Sequence, residues 1–421
     1  MKYHFIGIGG ISMKGIAEYL EKEGNTVTGS DLKTGGHKAS NITDDIDLVV
    51  RTSAVNPGSP GWVEVEEAEK KGIKVIKRSE LLGQITKDKK LIAVSGMHGK
   101  TTITTMAGLS LINAKLDPTV LVGERVKEFN DDVLRIGKSD WWVAEVCEYD
   151  RSFLDFFPEI IILTNIEEEH LDTYPGGLPE IMEAYTKYLG NIKENGLIIA
   201  CHDDKNVLEA IEKSGTKAKV IYYGFSAEVY NISKLNYELG VLGEHNRLNA
   251  LSVIALADYL GIDSKVVEET LKNFHGAKRR MEYKGHVNGA KIFDDYGHHP
   301  TEIVATISAI KEKYVDKQLT VVFWPHQYKR IKPLMKNFAE AFALADNVII
   351  KPIFLVPGRD EKLDISSENI TTLIGEKAQV IETDAEIVDY LKNNLDEESV
   401  LLTIGIPPVY KIAEELAQMS N

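Results

Sequence analysis

Cysteine is nearly absent from this sequence: Cys147 and Cys201 are the only two among 421 residues. Both fall in apolar, strand-like runs, so they read as core fillers rather than a disulfide, as expected of a protein kept in a reducing cytoplasm. Long apolar runs are missing as well. None approaches the roughly 18 residues that a membrane span needs, and Met1-Lys2-Tyr3-His4 leads straight into a strand, which predicts no leader peptide. Positive charge is the scarcer sign. Lys and Arg number 49 against 64 Asp and Glu, a balance of −15, which argues against broad binding to nucleic acid or an anionic membrane but leaves room for a local basic pocket. No heptad seam, low-complexity tract or internal repeat is visible. What remains is ordinary globular composition, 43% hydrophobic, in a chain long enough for two or three domains.

The most informative stretch is residues 90–106. Leu91 to Val94 reads as a buried strand, Ser95-Gly96-Met97-His98-Gly99 as a tight turn, and Lys100-Thr101-Thr102 as the opening of a helix carrying Met106, Leu109 and Ile112. Strand, glycine-rich turn, Lys-Thr and helix make a phosphate cradle. Backbone N–H groups face an anion, Lys100 adds a point charge, and the Thr101 hydroxyl can hold Mg²⁺. The usual pattern has glycine where Val94 stands, so this turn is shorter than most. An ordinary strand–helix turn is the alternative, but it gives Gly-Lys-Thr-Thr little purpose.

The chain opens with a strand, Gly7-Ile8-Gly9-Gly10-Ile11-Ser12, a helix to about residue 23, and a strand Thr26–Gly29 ending in Ser30-Asp31. That is a Rossmann-like start with Ser12 at the third glycine position. Alone it suggests a dehydrogenase or a merely fold-forming turn. Strands follow at 47–54 and 72–76 and a helix at 79–85, and the unit closes near residue 87, too small for a full dinucleotide fold. A nucleotide-diphosphate carrier suits it better than NAD. Beyond the cradle, strands near 119–123, 141–147, 159–164, 197–201 and 219–223 alternate with helices at 178–190, 204–213, 245–260 and 265–274, which predicts a largely parallel sheet. Two polar clusters fall at strand ends, Glu145 to Ser152 and Asn165 to Asp172. Glu145 and His170 are placed to hold Mg²⁺, while Glu168 and Glu169 read as a solvated loop. Asn246 and Asn249 open a helix, where capping and ligand contact are equally open readings. From Ala277 onward, Lys278-Arg279-Arg280 put cations on a linker. Lys291 to Glu302, with Asp294, Asp295, Tyr296, His298 and His299, runs from strand into helix and is too polar for a core. A strand at 319–324 ends in Pro325-His326-Gln327-Tyr328-Lys329-Arg330, then comes a helix with Phe338, Phe342 and Ala345, and further strands and helices complete an α/β domain.

Together these motifs resemble the Mur ligase family, most closely its alanine-adding branch. The resemblance rests on Gly96-Met-His-Gly-Lys-Thr-Thr102, Gly7-Ile-Gly-Gly10, Gly29-Ser-Asp-Leu32, the 165–174 stretch, His245-Asn-x-x-Asn249, Asp294-Asp-Tyr-Gly-His-His-Pro-Thr-Glu302 and Pro325-His-x-Tyr328, in order over nearly the whole chain. It implies an α/β protein of three domains. These are a small Rossmann-like UDP-sugar domain (1–87), a central P-loop ATPase domain with a mainly parallel sheet (88–276), and a C-terminal Rossmann-like domain (277–421). It implies a reaction too: ATP phosphorylates the carboxylate of a UDP-linked sugar acid, as in UDP-N-acetylmuramate, and an amino acid's amine displaces the phosphate to leave an amide. The implied cofactors are ATP and Mg²⁺ or Mn²⁺. The implied partners are the UDP-sugar acid and a free amino acid, in a cytoplasmic monomer or weak homodimer that touches neither nucleic acid nor membrane. By motif, Lys100, His170 and Arg280 carry catalysis. Gly96, His98, Gly99, Lys100, Thr101, Thr102, Asn246, Arg280 and Asp295 hold ATP. Thr101, Glu145 and His170 hold the metal. Gly9, Gly10, Ile11, Ser12, Asp31 and Ser53 hold the UDP-sugar. Tyr296, His298, Gln327 and Arg330 line the amino-acid pocket.

The chain also departs from the family. Between Asp31 and Gly36-His37 it lacks about fifteen residues, on the order of a helix plus a short strand. Ser12 replaces a glycine, the usual Glu-Ser-Asp is Glu148-Tyr-Asp150, and Gly405-Ile-Pro-Pro408 replaces a glycine-rich turn. Gln327 stands where the family has an Arg, and Gln cannot grip a carboxylate with a charged fork. These changes fall in the sugar and amino-acid sites, so a different substrate pair, such as that of an archaeal pseudomurein counterpart, and a non-catalytic nucleotide-binding relative are the alternatives. Lys187 lies 16 residues before Asp203, where other branches carry a carbamylated lysine, but reads here as a solvated helix residue.

Overall fold

The computed structural model describes residues 1–356 and 360–419. By packing, the chain forms two compact units, one of residues 1–238 with 248–271 and the other of 239–247 with 272–421.

The first unit holds two sheets. A four-stranded parallel sheet runs Thr26–Ser30, Lys2–Ile6, Leu48–Arg51, Val75–Lys77 in spatial order. An eight-stranded sheet runs Tyr230–Asn231, Lys219–Gly224, Leu197–Cys201, Ile160–Leu163, Lys90–Ser95, Trp141–Glu145, Thr119–Val126, Asp132–Arg135. Its last strand is antiparallel, pairing with Thr119–Val126, and sequence periodicity did not reveal it. The phosphate-loop strand Lys90–Ser95 lies at the centre, buried on both faces, as a continuous apolar run requires. Tyr3, Phe5 and Met13 share one core with Leu91, Trp142 and Leu163, so the two sheets of this unit are packed together. Helix Trp62–Lys70 lies between the strands read at 47–54 and 72–76, and its Glu64 is wholly buried. Helix Lys100–Asn113 is buried on nearly every side over its first three turns. Its core residues are Ile103, Met106, Ala107 and Leu111, rather than the stripe through Leu109 and Ile112.

The second unit is built on a six-stranded sheet, Glu282–Val287, Ala290–Asp295, Ser399–Ile404, Gln318–Phe323, Asn347–Ile350, Ala378–Val380. The first strand is antiparallel and the rest are parallel. Residues just past the expected linker therefore form an edge strand. Helix Tyr328–Ala341 ends before Phe342 and Ala345, which pack beyond it in the same core. The Asp294-to-His299 junction, too polar for a core by sequence, is in fact buried at Asp294, Asp295 and His299. Both cysteines are free and only half-buried. No described helix is long and apolar enough to cross a membrane.

Candidate functional site

The phosphate loop turns on two glycines whose backbone angles and close neighbours disfavour any side chain. Gly96 has φ +127° and Gly99 φ +84°, a region that side chains rarely adopt. A Cβ on Gly96 would lie 2.0 Å from Thr164 Oγ1, and one on Gly99 2.7 Å from Asn249 Oδ1. The loop is pinned from the next strand. Asn165 Oδ1 accepts the N–H groups of Met97 (3.1 Å) and His98 (2.9 Å), and Thr164 Oγ1 donates to His98 O at 2.7 Å. His98 Nε2 lies 3.7 Å from Glu167 Oε2. Thr101 and Thr102 open the helix and are buried.

Lys100 bends back over its own loop. Its Nζ donates to Gly96 O and Met97 O and lies 3.2 Å from Glu148 Oε2. The other oxygen of Glu148 is 3.1 Å from His170 Nε2. Burial pushes Lys100 down, but the charge of Glu148 more than offsets it and the ammonium ends well above its ordinary range. Burial likewise pushes Glu148 up, yet Lys100 and the His170 hydrogen bond bring its carboxyl down to about 2. The pair is therefore charged at neutral pH. Tyr174 Oη fixes the Glu148 carbonyl at 2.6 Å. His170 itself holds a left-handed backbone, φ +54°. Strain of that kind persists where surrounding structure over-determines it, often at working sites.

Glu148, rather than Glu145, thus meets Lys100 and His170. Glu145 ends its strand, and its Oε1 accepts the Gly123 N–H at 2.6 Å. A carboxylate three residues beyond the strand end can turn back toward the loop. The Glu148-Tyr-Asp150 triplet was the available signal. Cys147, next to Glu148, has its thiol pushed up to about 12 by burial first and by the Glu148 charge second. Lys187 is exposed on helix Leu178–Leu189.

The expected sugar-site residues gather at the carboxyl ends of the small sheet. Gly9 N–H donates to Asp31 Oδ2 at 3.2 Å, and helix Ile11–Lys22 begins after Gly10. Ser12 Oγ accepts from Arg78 at 2.6 Å, and the Ser53 carbonyl accepts from Asn56 at 2.8 Å. Arg78, absent from the sequence reading, brings a cation to that edge. Behind it Glu64 collects His4 Nε2 (3.2 Å), Ser30 Oγ (2.6 Å), Lys38 N–H (2.9 Å) and Asn41 Nδ2 (2.7 Å). Burial raises its carboxyl, but those donors lower it to about 2.

In the second unit Arg279, expected on a linker, is a clamp. Its guanidinium reaches Asp294 Oδ2 (3.2 Å), Ile406 O (3.0 Å) and Gly405 O, and lies over the rings of Tyr296 and Tyr410. Arg279 and Met281 both have positive φ, +57° and +51°, and Arg280 sits between them. Met281 N–H donates to Asp295 Oδ2 at 2.7 Å and Tyr296 N–H to Arg279 O at 2.7 Å. Arg280 lies over the Tyr296 ring, with Nη1 3.9 Å from Glu302 Oε1. Burial raises Asp295, with Arg280 opposing, and its second oxygen accepts the Gly297 N–H. His298 Nδ1 faces Tyr296 O at 3.2 Å. Gln327, at φ +66°, precedes helix Tyr328–Ala341 and donates its N–H to Phe354 O, while Arg330 Nη1 lies 3.2 Å from His326 Nδ1. Asn246 is buried and donates to Leu242 O at 2.6 Å.

Comparison with known proteins gives these groups a context. Residues 2–90 match the "Mur ligase family, catalytic domain", 94–257 the "Mur ligase middle domain", and 279–406 the "Mur ligase, glutamate ligase domain". A UDP-N-acetylmuramate–L-alanine ligase of Caldanaerobacter subterraneus is 38% identical over 99% of this chain and 97% of its own. The crystal structure of the UDP-N-acetylmuramate–alanine ligase of Thermotoga maritima superposes with a TM-score of 0.80 at 26% identity, covering 100% of this chain and 99% of that one. A pseudomurein peptide ligase of Methanothermus fervidus shares the fold, with a TM-score of 0.65 at 19% identity and full coverage of both chains. On this identity and coverage, the chain belongs to the Mur ligase family.

Proposed function

We propose that this chain is an ATP-dependent, ADP-forming ligase that joins L-alanine to the carboxylate of UDP-N-acetylmuramate, a cytoplasmic step of cell-wall precursor synthesis. The observation that carries the reading is the preformed phosphate loop, with Lys100 and Glu148 charged at its mouth. A carboxylate reacts with an amine only after its oxygen becomes a leaving group, and phosphoryl transfer between two anions needs positioned cations. Lys100 supplies one from the loop. Arg280, oriented by the Tyr296 face and the flanking backbone, supplies another. The Thr101 hydroxyl, the Glu145 carboxylate and the His170 imidazole, with Glu148 beside His170, are a donor set of oxygens and nitrogen that suits Mg²⁺ or Mn²⁺. When bound, such an ion neutralises phosphate charge. Gly9, Gly10, Ser12 and Asp31, with Arg78 beside them, form the sugar-nucleotide end. Tyr296, His298, Gln327 and Arg330 form the amino-acid end, where the Arg330 guanidinium, in the first turn of helix Tyr328–Ala341, keeps a cation beside the position that Gln327 leaves uncharged.

The identity to relatives that carry this activity favours muramate and alanine. The pseudomurein alternative has only a shared fold behind it. ADP release should require both UDP-N-acetylmuramate and an amino acid, with L-alanine the best of the twenty. If another UDP-sugar acid or amino acid is strongly preferred, the substrate assignment is wrong; if no pair stimulates ADP release, the chain is a non-catalytic relative.

A further inference from the structure

One of only two thiols in the chain stands beside the carboxylate that pairs with Lys100. Cys147 Sγ, a Glu148 oxygen and a His170 ring nitrogen all lie within 4.8 Å of one another. We propose that these three side chains bind a thiophilic divalent cation of the Zn²⁺ class, and that this ion shuts the phosphate loop.

Around a tetrahedral zinc, bonds of about 2.0–2.3 Å put ligand atoms about 3.3–3.8 Å apart. The His170–Glu148 pair, at 3.1 Å, is already that close, and the sulfur lies within 4.8 Å of both. Sulfur, imidazole and carboxylate together select zinc or cadmium over magnesium, which prefers oxygen alone. Three protein ligands leave a fourth position for water, the arrangement of an open rather than a structural site. The scaffold is firm. Tyr174 Oη grips the Glu148 carbonyl, and the Tyr149 ring packs edge-on against His170 at 5.1 Å. Lys100 and Arg78 oppose a cation here. Lys100 can yield, because Gly96 O and Met97 O remain its acceptors when the metal takes Glu148. Binding forms a sulfur–metal bond and breaks the Cys147 S–H bond, whose proton goes to solvent; nothing is oxidised or reduced. Anchored by the Cys147 sulfur, the ion withholds Glu148 and His170 from the Mg²⁺ or Mn²⁺ that the phosphates require.

The site stands on the cluster itself and does not require the ligase reading. The test titrates the full-length, metal-stripped protein with Cd²⁺ and follows thiolate-to-metal charge-transfer absorption in the ultraviolet. Wild type and Cys201→Ser should show the band, and Cys147→Ser should lose it. His170→Gln keeps the thiol and should bind Cd²⁺ at least about tenfold more weakly. A band that survives Cys147→Ser, no band in wild type, or undiminished affinity in His170→Gln would each overturn the site. His170→Gln decides the matter even where Cys147→Ser folds poorly. In the ligase assay, Zn²⁺ should inhibit wild type at concentrations at least about tenfold below those needed for Cys147→Ser; equal sensitivity overturns the inhibitory role. A protein with no turnover would sink the ligase assignment while the cadmium titration still decides the metal site.

Discussion

Replacing Glu64 by Gln removes one negative charge and nothing else of consequence in volume. The side chain is fully buried and accepts four hydrogen bonds, from His4, Ser30, Lys38 and Asn41; His37 Nδ1 also approaches to 3.6 Å. Hydrogen bonds to a charged acceptor contribute about 1.5–3 kcal/mol each, and an amide keeps some of them. The carboxyl falls from 4.5 to about 2 on folding, which at about 1.4 kcal/mol per factor of ten corresponds to about 3 kcal/mol. Both routes give the same size of effect. The perturbation is local to residues 30–41, the segment that carries Asp31 and lacks the family's extra residues. Hydrogen exchange of the Lys38 amide, which donates directly to Glu64, reads it. At pH 7 exchange in Glu64→Gln should be about a hundredfold faster or more. Because the folded value is depressed, the stabilisation is complete above pH 4.5 and is lost as pH falls toward 2. Wild type should therefore approach the variant in that window, once intrinsic exchange is corrected. Lys38 exchange within threefold of wild type at pH 7 would refute the reasoning.

Lys100→Ala should lower ADP release by at least about a hundredfold with an unchanged circular dichroism spectrum; near-normal turnover would remove the loop from the mechanism. Glu148→Gln should cut turnover comparably, whereas Glu145→Gln should cut it less, and steady-state kinetics of the two variants side by side ranks them. Gly96→Ala must displace Thr164 and should cost about 1–3 kcal/mol from crowding alone, read as a lower melting temperature and weaker ATP binding. Arg279→Ala removes the cation that opposes burial at Asp294, whose carboxyl is already pushed up to about 7 and then takes a proton. The lost hydrogen bonds to Asp294 and the 405–406 carbonyls should cost about 1–3 kcal/mol in urea unfolding, and a loss under about 0.5 kcal/mol would show that the clamp is ornamental.

The phosphate loop could be read in the sequence because its chemistry is local: a strand, two glycines, Lys100 and Thr101 within a dozen residues. The alternation of strands and helices likewise follows from periodicity, and the parallel sheets follow from it. What escaped was whatever depends on a distant partner. Glu64 looks like any charge on an acidic helix until His4, Ser30 and Asn41 are brought around it. Arg279 looks like a linker cation until strands Ala290–Asp295 and Ser399–Ile404 place Asp294 and the 405–407 carbonyls against it. Glu145 and Glu148 differ only in where a strand stops, and sequence patterns locate strand ends poorly. The edge strand Asp132–Arg135 has only four residues, and Glu282–Val287 is mostly polar and little buried, so neither shows the apolar alternation that marks a strand.

Lys100 rests among two carbonyls and a carboxylate. An arriving phosphate therefore trades places with Glu148 instead of meeting a bare cation, and part of its Coulomb attraction is spent on separating an existing pair. The ionic-strength dependence of nucleotide affinity should then be shallower than the number of cations around the phosphates suggests, because salt weakens the pair that is lost along with the one that is gained.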